Sequence, residues 1–359
     1  MGRSEVTHEA TTLTSRALFI DAREQAEVRS TVLEDPGPGQ VRLRVEHVGI
    51  CGSDLHYFFE GANGAFVVRE PLIPGHELSG TVDYDPAGEF ADGTGVTVHP
   101  ARFGTRDDRF ADAPQLWPGG SYLGSASTWP HTQGAVSEYL VVERHMIRAL
   151  PEDLPIRRAV LAEPLGVALH ALTQARLVGA RIEGARVLVT GSGPVGLLAV
   201  AAASAAGAAE ITATDVLPGP LRRAREQGAD TVVDVTREEL QESAYDLVLE
   251  CSGAAPSVNA VLRAVRPAGV IVQVGMMPAE PRPVDLSPFI SKEVRYVGTF
   301  RFADEIDGAL KLLAERPGIE GVITHELPPE DPAALFAAAR DAETSGKVIT
   351  APWKDAPVR

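Results

Sequence analysis

Cysteine is scarce in this chain: only Cys51 and Cys251 occur among 359 residues. Two cysteines so far apart exclude a disulfide framework and indicate a reducing compartment, so we expect a cytoplasmic location. Cys251 lies in the apolar run Tyr245–Gly253 and is expected to be a small buried residue. Cys51 is therefore the thiol whose chemistry needs an explanation.

Long apolar runs and an excess of basic residues are also missing. No stretch reaches the roughly 18 to 20 apolar residues that a transmembrane helix needs. The segment Met1–Thr14 is polar, lacks the basic-then-apolar order of a signal peptide, and is expected to be a loose tail. A net charge of −16, with only four lysines, argues against nucleic acid and anionic membranes as partners. The apolar fraction of 44% fits a soluble globular protein.

The chain divides into two parts by its residue pattern. Up to about residue 160, segments such as Val41–Val48 alternate apolar and polar residues, as half-buried strands do, and Pro100–Gln133 is expected to be a long irregular loop. Beyond that point, short apolar strands alternate with helices, which predicts an α/β fold with a parallel sheet covered on both faces. We therefore expect a β-rich domain over 1–160, rejoined by the segment 301–359, and a nucleotide-binding domain over 161–300. The chemistry is expected between them.

A glycine-rich segment, Gly191-Ser-Gly-Pro-Val-Gly196, follows a predicted strand and opens a predicted helix. In a dinucleotide site, such glycines permit the turn, the approach of the pyrophosphate and the packing of the helix. Asp215 ends the next strand about 20 residues on, where an acidic residue accepts from the ribose hydroxyls. A carboxylate would repel a 2′-phosphate, so NAD is favoured over NADP, although Arg222 and Arg223 lie in the following helix. The candidate cofactor residues are Gly191, Gly193, Pro194, Val195, Gly196 and Asp215.

Potential metal ligands form a second group, in which Cys51, His76 and Glu77 lie close in sequence and Glu163 follows later. A thiolate with an imidazole selects zinc over calcium or magnesium, and three protein ligands with an open position make a catalytic site. Glu77 and Glu163 compete for the third ligand position, and the other carboxylate would hold a water molecule. A zinc ion makes an alcohol proton easier to lose. Together with a hydride-accepting cofactor, these residues predict a metal-assisted alcohol dehydrogenase.

Three side chains between the first ligands suit proton transfer or its support. The Ser53 hydroxyl can take the alcohol proton, and His56 can pass it to solvent because an imidazole exchanges protons near neutral pH. Asp54 could orient a ligand histidine. Taken singly, Asp54 could cap a turn and His56 could be an ordinary surface histidine. The whole chain could also be a catalytically inactive nucleotide-binding or sensor protein. Their combination with a cofactor motif favours an enzyme.

Several segments together resemble the zinc-dependent medium-chain alcohol dehydrogenases, and within them the sorbitol and L-idonate 5-dehydrogenase branch. The resemblance spans residues 16–352 and implies a GroES-like catalytic domain, a Rossmann domain with NAD, and a homodimer or homotetramer. It rests on Val48–Tyr57, Val67–Glu77, Leu161–His170, Gly191–Gly196, Glu250–Gly253 and Gly298–Phe302.

The resemblance also implies a role for individual positions. Arg301 would lie beside the substrate and the nicotinamide, where its planar fork of donors suits a carboxylate or a polyol. The remaining implied roles are catalytic-zinc residues for Cys51, His76, Glu77 and Glu163, a proton relay for Ser53 and His56, the substrate pocket for Tyr57 and Phe66, and backbone contacts to the nicotinamide amide for Gly275 and Met276.

The segment Phe103–Pro118 departs from the family pattern. Many members carry four cysteines there for a structural zinc, whereas this segment contains no thiol. We therefore expect one zinc per subunit and a loop held by packing or by oligomer contacts. The segment Tyr122–His131 resembles the idonate branch more than the sorbitol branch. The best single expectation is oxidation of L-idonate to 5-ketogluconate, and a sorbitol- or xylitol-type polyol dehydrogenase is the alternative.

Overall fold

The computed structural model describes residues 12–278 and 280–353. The expected N-terminal tail therefore lies almost wholly outside the described residues, and its last two positions, Leu13 and Thr14, already belong to a strand. Across the described residues, no helix is both long enough and apolar enough to cross a bilayer.

The strands of the described residues fall into a catalytic-side group and a nucleotide-side group. The first group is β1 (Leu13–Ala22), β2 (Gln25–Leu33), β3 (Gln40–Gly49), β4 (Ala62–Asn63), β5 (Phe66–Val67), β6 (Glu77–Tyr84), β7 (Gly95–Val98), β8 (Ala101–Arg102), β9 (Ser121–Tyr122), β10 (Tyr139–Glu143) and β11 (Ile147–Ala149). The nucleotide side and the C-terminal segment contain β12 (Arg186–Thr190), β13 (Glu210–Asp215), β14 (Thr231–Asp234), β15 (Tyr245–Glu250), β16 (Val265–Gln273), β17 (Arg295–Gly298), β18 (Ile323–Leu327) and β19 (Lys347–Thr350).

Helices connect these strands and cover the parallel sheet. They are α1 (Gly52–Glu60), α2 (Ile156–Ala159), α3 (Ala162–Leu177), α4 (Pro194–Ala205), α5 (Pro218–Glu226), α6 (Ala255–Ala264), α7 (Ser287–Ser291), α8 (Ile306–Glu315) and α9 (Pro332–Arg340). Short 3-10 helices lie at Asp108–Phe110, Pro114–Leu116, Arg144–Met146 and Pro317–Val322.

The catalytic-side sheet runs in the order β11-β7-β6-β3-β19-β18, and β10 also pairs with β3. Strand β3 is antiparallel to both β6 and β19, so the C-terminal strands extend the sheet formed by the N-terminal part of the chain. Alternating burial along β3 places Val41, Leu43 and Val45 in the core beneath this sheet. This arrangement brings the ends of β3, β6 and β19 together.

The nucleotide-side sheet has the order β14-β13-β12-β15-β16-β17, and every pair in it is parallel. Numbered along the chain, this is the 3-2-1-4-5-6 order of a doubly wound dinucleotide-binding sheet. Leu188 and Val248 on its central strands are fully buried, as a sheet covered on both faces requires. The predicted α/β class is confirmed.

Local pattern predicted the parallel strands better than it predicted the segments around the ligands. A strand was predicted directly before Gly191 and another ending at Asp215, and β12 (Arg186–Thr190) and β13 (Glu210–Asp215) lie at these places. Helix α1, which begins directly after Cys51, was missed because a run of polar and glycine residues precedes its apolar residues. The expected irregular loop Pro100–Gln133 contains the short paired strands β8 and β9 and two 3-10 helices.

Candidate active site

Three potential metal ligands converge where β3 and β6 lie side by side. Ligand atoms of Cys51, His76 and Glu77 lie within 4.8 Å of one another. Cys51 follows β3 and caps α1, whereas His76 and Glu77 stand at the start of β6. The antiparallel register pairs Gly49 with Glu77, which brings the two ligand-bearing turns together. The sheet topology therefore brings together ligands from two separate turns of the chain.

Asp54 ties the two ligand-bearing turns to each other. Its carboxylate accepts from the backbone N–H of Cys51 at 2.9 Å and from that of Gly75 at 3.2 Å. Asp54 is completely buried, and burial raises the pKa of its carboxyl group. The expected contact with a ligand imidazole is replaced by these two backbone contacts, which hold Cys51 and His76 at a fixed separation.

The Glu77 carboxylate has one oxygen paired and one oxygen unpaired. Its Oε1 lies 2.7 Å from Nζ of Lys347 on β19, which also donates to the Ile50 carbonyl at 3.1 Å. Its Oε2 is buried without a hydrogen-bond partner among the described residues. A side chain at position 49 would overlap Oε2, so Gly49 leaves the carboxylate room. The unpaired oxygen is an available metal ligand.

His76 lies in an electrostatic environment that favours its charged form when no metal is bound. Burial lowers the pKa of His76, but the neighbouring Cys51, Glu163 and Asp54 raise it to about 10. Thiol and carboxyl groups around a buried imidazole create a negative potential that favours a cation at this position. Cys, His and Glu are ligands that zinc accepts, and the unpaired Glu77 oxygen supplies the third. The residues present therefore fit a zinc ion.

Glu163, on α3, lies near the ligand cluster, but its carboxylate has a different partner from that of Glu77. Its Oε1 accepts from the Tyr122 hydroxyl at 2.6 Å. Burial raises the pKa of Glu163, and the nearby Glu77 raises it further. The three-residue ligand cluster contains Glu77 and leaves Glu163 out. The two carboxylates that the sequence could not separate therefore differ in their surroundings.

The predicted proton-relay residues lie on α1, next to the Cys51 cap. Ser53 is partly exposed in the first turn, and His56 is exposed one turn later. Residues three apart share a helix face, so the hydroxyl and the imidazole point the same way. His56 Nδ1 lies 3.0 Å from Glu60 Oε1. The order along the helix leads from the ligand cluster toward solvent.

The three predicted substrate residues have different environments. The Arg301 guanidinium carbon lies 4.0 Å from the ring centroid of Tyr122 and 4.8 Å from that of Phe300, and Arg301 has a φ of +53°. Burial lowers the pKa of Arg301. Tyr57 is buried, and its hydroxyl accepts from the Ala126 N–H at 3.1 Å. Phe66 is 40% exposed on β5 and is free to contact a ligand.

The glycine-rich turn joins β12 to α4 as expected. Gly191 has a φ of +78°, and a side chain there would collide with the backbone of Ser252, so only glycine fits. Gly193 caps α4 with open space beside its Cα, and Pro194 is the first helical residue, followed by Val195. A side chain at Gly196 would overlap the Gly191 carbonyl. The N-terminus of α4 is thereby open to an anion.

Asp215 ends β13 beside this turn. Its Oδ2 accepts from the Ser192 N–H at 2.8 Å, and its Oδ1 accepts from the N–H groups of Val216 and Leu217 at 2.7 and 3.1 Å. The carboxylate therefore holds the glycine-rich turn and the segment after β13 together. Arg222 is paired only loosely with Glu343 at 3.8 Å.

Gly275 and Met276 follow β16 at the same edge of the sheet. The Gly275 N–H donates to the Glu250 carbonyl at 2.8 Å, and its own carbonyl accepts from Gln273 Nε2 at 2.7 Å. Met276 is 78% exposed. Hydrogen bonds therefore fix the backbone of Gly275, whereas Met276 is exposed to solvent.

The segment Phe103–Pro118, which lacks thiols, is held by contacts between protein groups. The Thr105 N–H donates to the Pro118 carbonyl at 2.9 Å, which closes its base. The Trp117 indole donates to the Phe110 carbonyl at 3.3 Å, and the ring of Phe103 contacts that of Trp117. These contacts within the chain hold the segment.

Comparison with known protein families and structures gives a consistent result. The description "Alcohol dehydrogenase GroES-like domain" fits residues 37–152, and "Zinc-binding dehydrogenase" fits residues 194–315. L-idonate 5-dehydrogenase (NAD(P)+) of Escherichia coli is 34% identical over 76% of this chain and 80% of its own length. Sorbitol dehydrogenase of Macaca fascicularis is 32% identical over 85% of this chain and 87% of its own.

The chain belongs to the zinc-dependent medium-chain alcohol dehydrogenase family. The crystal structure of the E. coli L-idonate 5-dehydrogenase superposes with a TM-score of 0.89 at 30% identity, covering 96% of this chain and 99% of that one. This dehydrogenase is therefore an oxidoreductase of the polyol and sugar-acid branch, as the resemblance implied.

Two residues of the dehydrogenase site escaped sequence reasoning. Lys347 had a signal, because a lysine in the buried strand Lys347–Thr350 needs a partner and lysines are rare in this chain. Tyr122 had none, because a single tyrosine after a glycine-rich loop is unremarkable in sequence. Both reach the site through strand pairings that no local pattern contains.

Proposed function

We propose that this dehydrogenase oxidises a secondary alcohol of a sugar acid, with L-idonate converted to 5-ketogluconate as the best single substrate. The observation that supports an acid is Arg301, whose guanidinium has no hydrogen-bond acceptor among residues 12–278 and 280–353. A half-buried arginine with free donors beside the ligand cluster favours a carboxylate or adjacent hydroxyls. The similarity to the E. coli L-idonate 5-dehydrogenase supports the same substrate.

Cys51, His76 and Glu77 would hold the zinc, which would supply a Lewis acid, and a bound nicotinamide would supply the hydride acceptor. Ser53 would receive the proton of the reacting hydroxyl, and His56 would release it to solvent. Glu163, held by Tyr122, would hydrogen-bond a hydroxyl or water at the centre. Arg301 would orient the far end of the substrate, with Tyr57 and Phe66 at the pocket wall.

Cofactor choice follows from the end of β13. The Gly191–Gly196 turn would bind the pyrophosphate, and Gly275 and Met276 would face the nicotinamide amide. Asp215 would accept from the ribose hydroxyls and repel a 2′-phosphate, so we propose NAD as the preferred cofactor. We also propose one zinc per subunit, because the segment Phe103–Pro118 offers no thiol.

The organisation of the subunits is part of the same proposal. The division into a catalytic domain over 1–160 with 301–359 and a nucleotide domain over 161–300 is supported by the pairing of β19 with β3. A homodimer or homotetramer is supported by the edge position of β17 and by the 72% exposure of Ile290 near it. Two free cysteines fit a reducing compartment such as the cytoplasm.

A neutral polyol is the second candidate, since sorbitol dehydrogenases are also similar to this chain. The test is NADH formation by the zinc-loaded protein with L-idonate, D-gluconate, sorbitol and xylitol, with and without a chelator. Chelator-sensitive turnover that prefers L-idonate supports the proposal. A preference for sorbitol or xylitol would keep the mechanism and discard the role of Arg301. Turnover of none of the four would contradict the proposed substrate class.

A further inference from the structure

Tyr122 is the side chain that links three separate parts of the site. Its hydroxyl donates to Glu163 at 2.6 Å, its ring contacts the His76 ring at 5.4 Å in an edge-on orientation, and its face carries the Arg301 guanidinium at 4.0 Å. Tyr122 is only 4% exposed, and the pairing of β9 with β8 fixes its backbone. It therefore has no freedom to leave these partners.

We propose that Tyr122 is a positioning residue whose hydroxyl holds the Glu163 carboxylate away from the metal, so that Glu77 supplies the carboxylate ligand and Glu163 remains available to the reacting hydroxyl. This inference deepens the proposed function and rests on it. The hydrogen bond from Tyr122 to Glu163 would thus give Glu77 and Glu163 different roles.

The hydrogen-bond geometry supports this division of tasks. An O–H···O distance of 2.6 Å is typical of a hydrogen bond to a charged carboxylate. The phenol hydroxyl of Tyr122 is the donor of this bond and the Glu163 oxygen is its acceptor, and both side chains are buried. Glu77 has the opposite arrangement, because its Oε2 has no donor among the described residues. Glu163 Oε1 is thus occupied by the Tyr122 hydroxyl, whereas Glu77 Oε2, in the ligand cluster, has no hydrogen-bond donor among the described residues.

The ring of Tyr122 has a task that can be separated from that of the hydroxyl. It supports Arg301 through a cation–π contact, which needs no carboxylate partner for the guanidinium N–H donors. A carboxylate partner would have occupied those donors. Replacement by phenylalanine keeps this support and removes only the hydrogen bond to Glu163, so it isolates the proposed role.

The test compares Tyr122→Phe with the wild type and with Tyr84→Phe. Tyr84 lies on β6 with 43% exposure, and its hydroxyl has no hydrogen bond to a described residue. We expect Tyr122→Phe to lower kcat at least about tenfold, while KM and the preference for acid over neutral substrate change less than about threefold, because the lost contact acts in the transition state. Tyr84→Phe should match the wild type.

Substitution of cobalt(II) for zinc provides a spectroscopic measurement that does not depend on enzyme turnover. Its visible spectrum reports the ligands around the metal, so release of Glu163 in Tyr122→Phe should shift the bands, whereas Tyr84→Phe should leave them unchanged. Unchanged bands in Tyr122→Phe would overturn the inference, as would an unchanged kcat. A wild-type protein without activity on any substrate would contradict the proposed function, and the cobalt spectra would still decide the role of Tyr122.

Discussion

Lys347 Nζ lies 2.7 Å from Glu77 Oε1, and the two side chains are only 2% and 1% exposed. Burial lowers the pKa of Lys347, but the charges of Glu77 and Cys51 raise it above its ordinary value, so the lysine stays charged. The C-terminal strand β19 thereby contributes a cation to a centre built by β3 and β6. This pair fixes one Glu77 oxygen and leaves the other toward the metal ligands.

Removal of this lysine should be costly for folding. We predict that Lys347→Met destabilises the zinc-free protein by ~3 to 5 kcal/mol, because it leaves a buried carboxylate without its partner. Urea unfolding measures the loss. Lys311→Met is the matched control, since Lys311 forms an exposed pair with Glu315 at 3.8 Å, and such pairs contribute at most ~1 kcal/mol. Equal losses in the two variants would contradict the prediction.

Metal analysis should give one zinc per chain. Cys51 is in the ligand cluster, whereas burial and the nearby Glu250 raise the pKa of Cys251 far above its ordinary value and keep it a thiol. We predict that Cys51→Ala loses the zinc and that Cys251→Ala keeps it. Chelation should leave the far-UV spectrum intact because protein contacts hold the segment Phe103–Pro118. A second zinc that persists in Cys51→Ala would refute this.

Cofactor preference should depend on the charge of Asp215. Asp215→Asn keeps an oxygen for the backbone N–H groups of the neighbouring loops but removes the negative charge. We predict that the ratio of kcat/KM for NADP to that for NAD rises about tenfold, which corresponds to ~1.4 kcal/mol.

Asp234→Asn is the control for this prediction, because Asp234 ends β14 opposite Asp215 in the register and its carboxylate accepts from Thr236. The control should leave the cofactor ratio unchanged. A ratio that is unaffected in Asp215→Asn, or equally raised in both variants, would remove Asp215 from the account of cofactor choice.

The pair of His170 and Glu305 should make stability depend on pH. Burial raises the pKa of Glu305, but His170 at 2.8 Å and the N–H groups of Ala303 and Asp304 lower it from 4.5 to about 2. A lowered folded-state pKa means stabilisation that is complete above pH 4.5 and lost as the pH falls toward 2. Its full size is about 3 kcal/mol.

Unfolding of Glu305→Gln and the wild type across pH measures this contribution. We predict the largest difference in unfolding free energy above pH 5 and a difference that shrinks between pH 4.5 and 2. Asp304→Asn, a change at the exposed neighbouring position, should show no such trend. A difference that grows as the pH falls would have the wrong sign for this pair.

The sequence was sufficient where short-range pattern determines structure. Gly191 and Asp215 were predicted because a turn, a helix start and a strand end lie within one short segment. The partners of Lys347 and Tyr122 could not be predicted, because those of Lys347 depend on the pairing of β19 with β3 and those of Tyr122 on the pairing of β9 with β8. The choice between Glu77 and Glu163 also required structure, since it depends on which carboxylate oxygen already has a donor.

The most direct test of the central claim is NADH formation by the wild type and by Cys51→Ala, measured together with NAD binding by calorimetry. We predict that Cys51→Ala abolishes turnover of L-idonate and every other substrate of the wild type while NAD affinity remains within about threefold, since the nucleotide turn lies on separate strands. Full activity in Cys51→Ala would contradict the zinc mechanism.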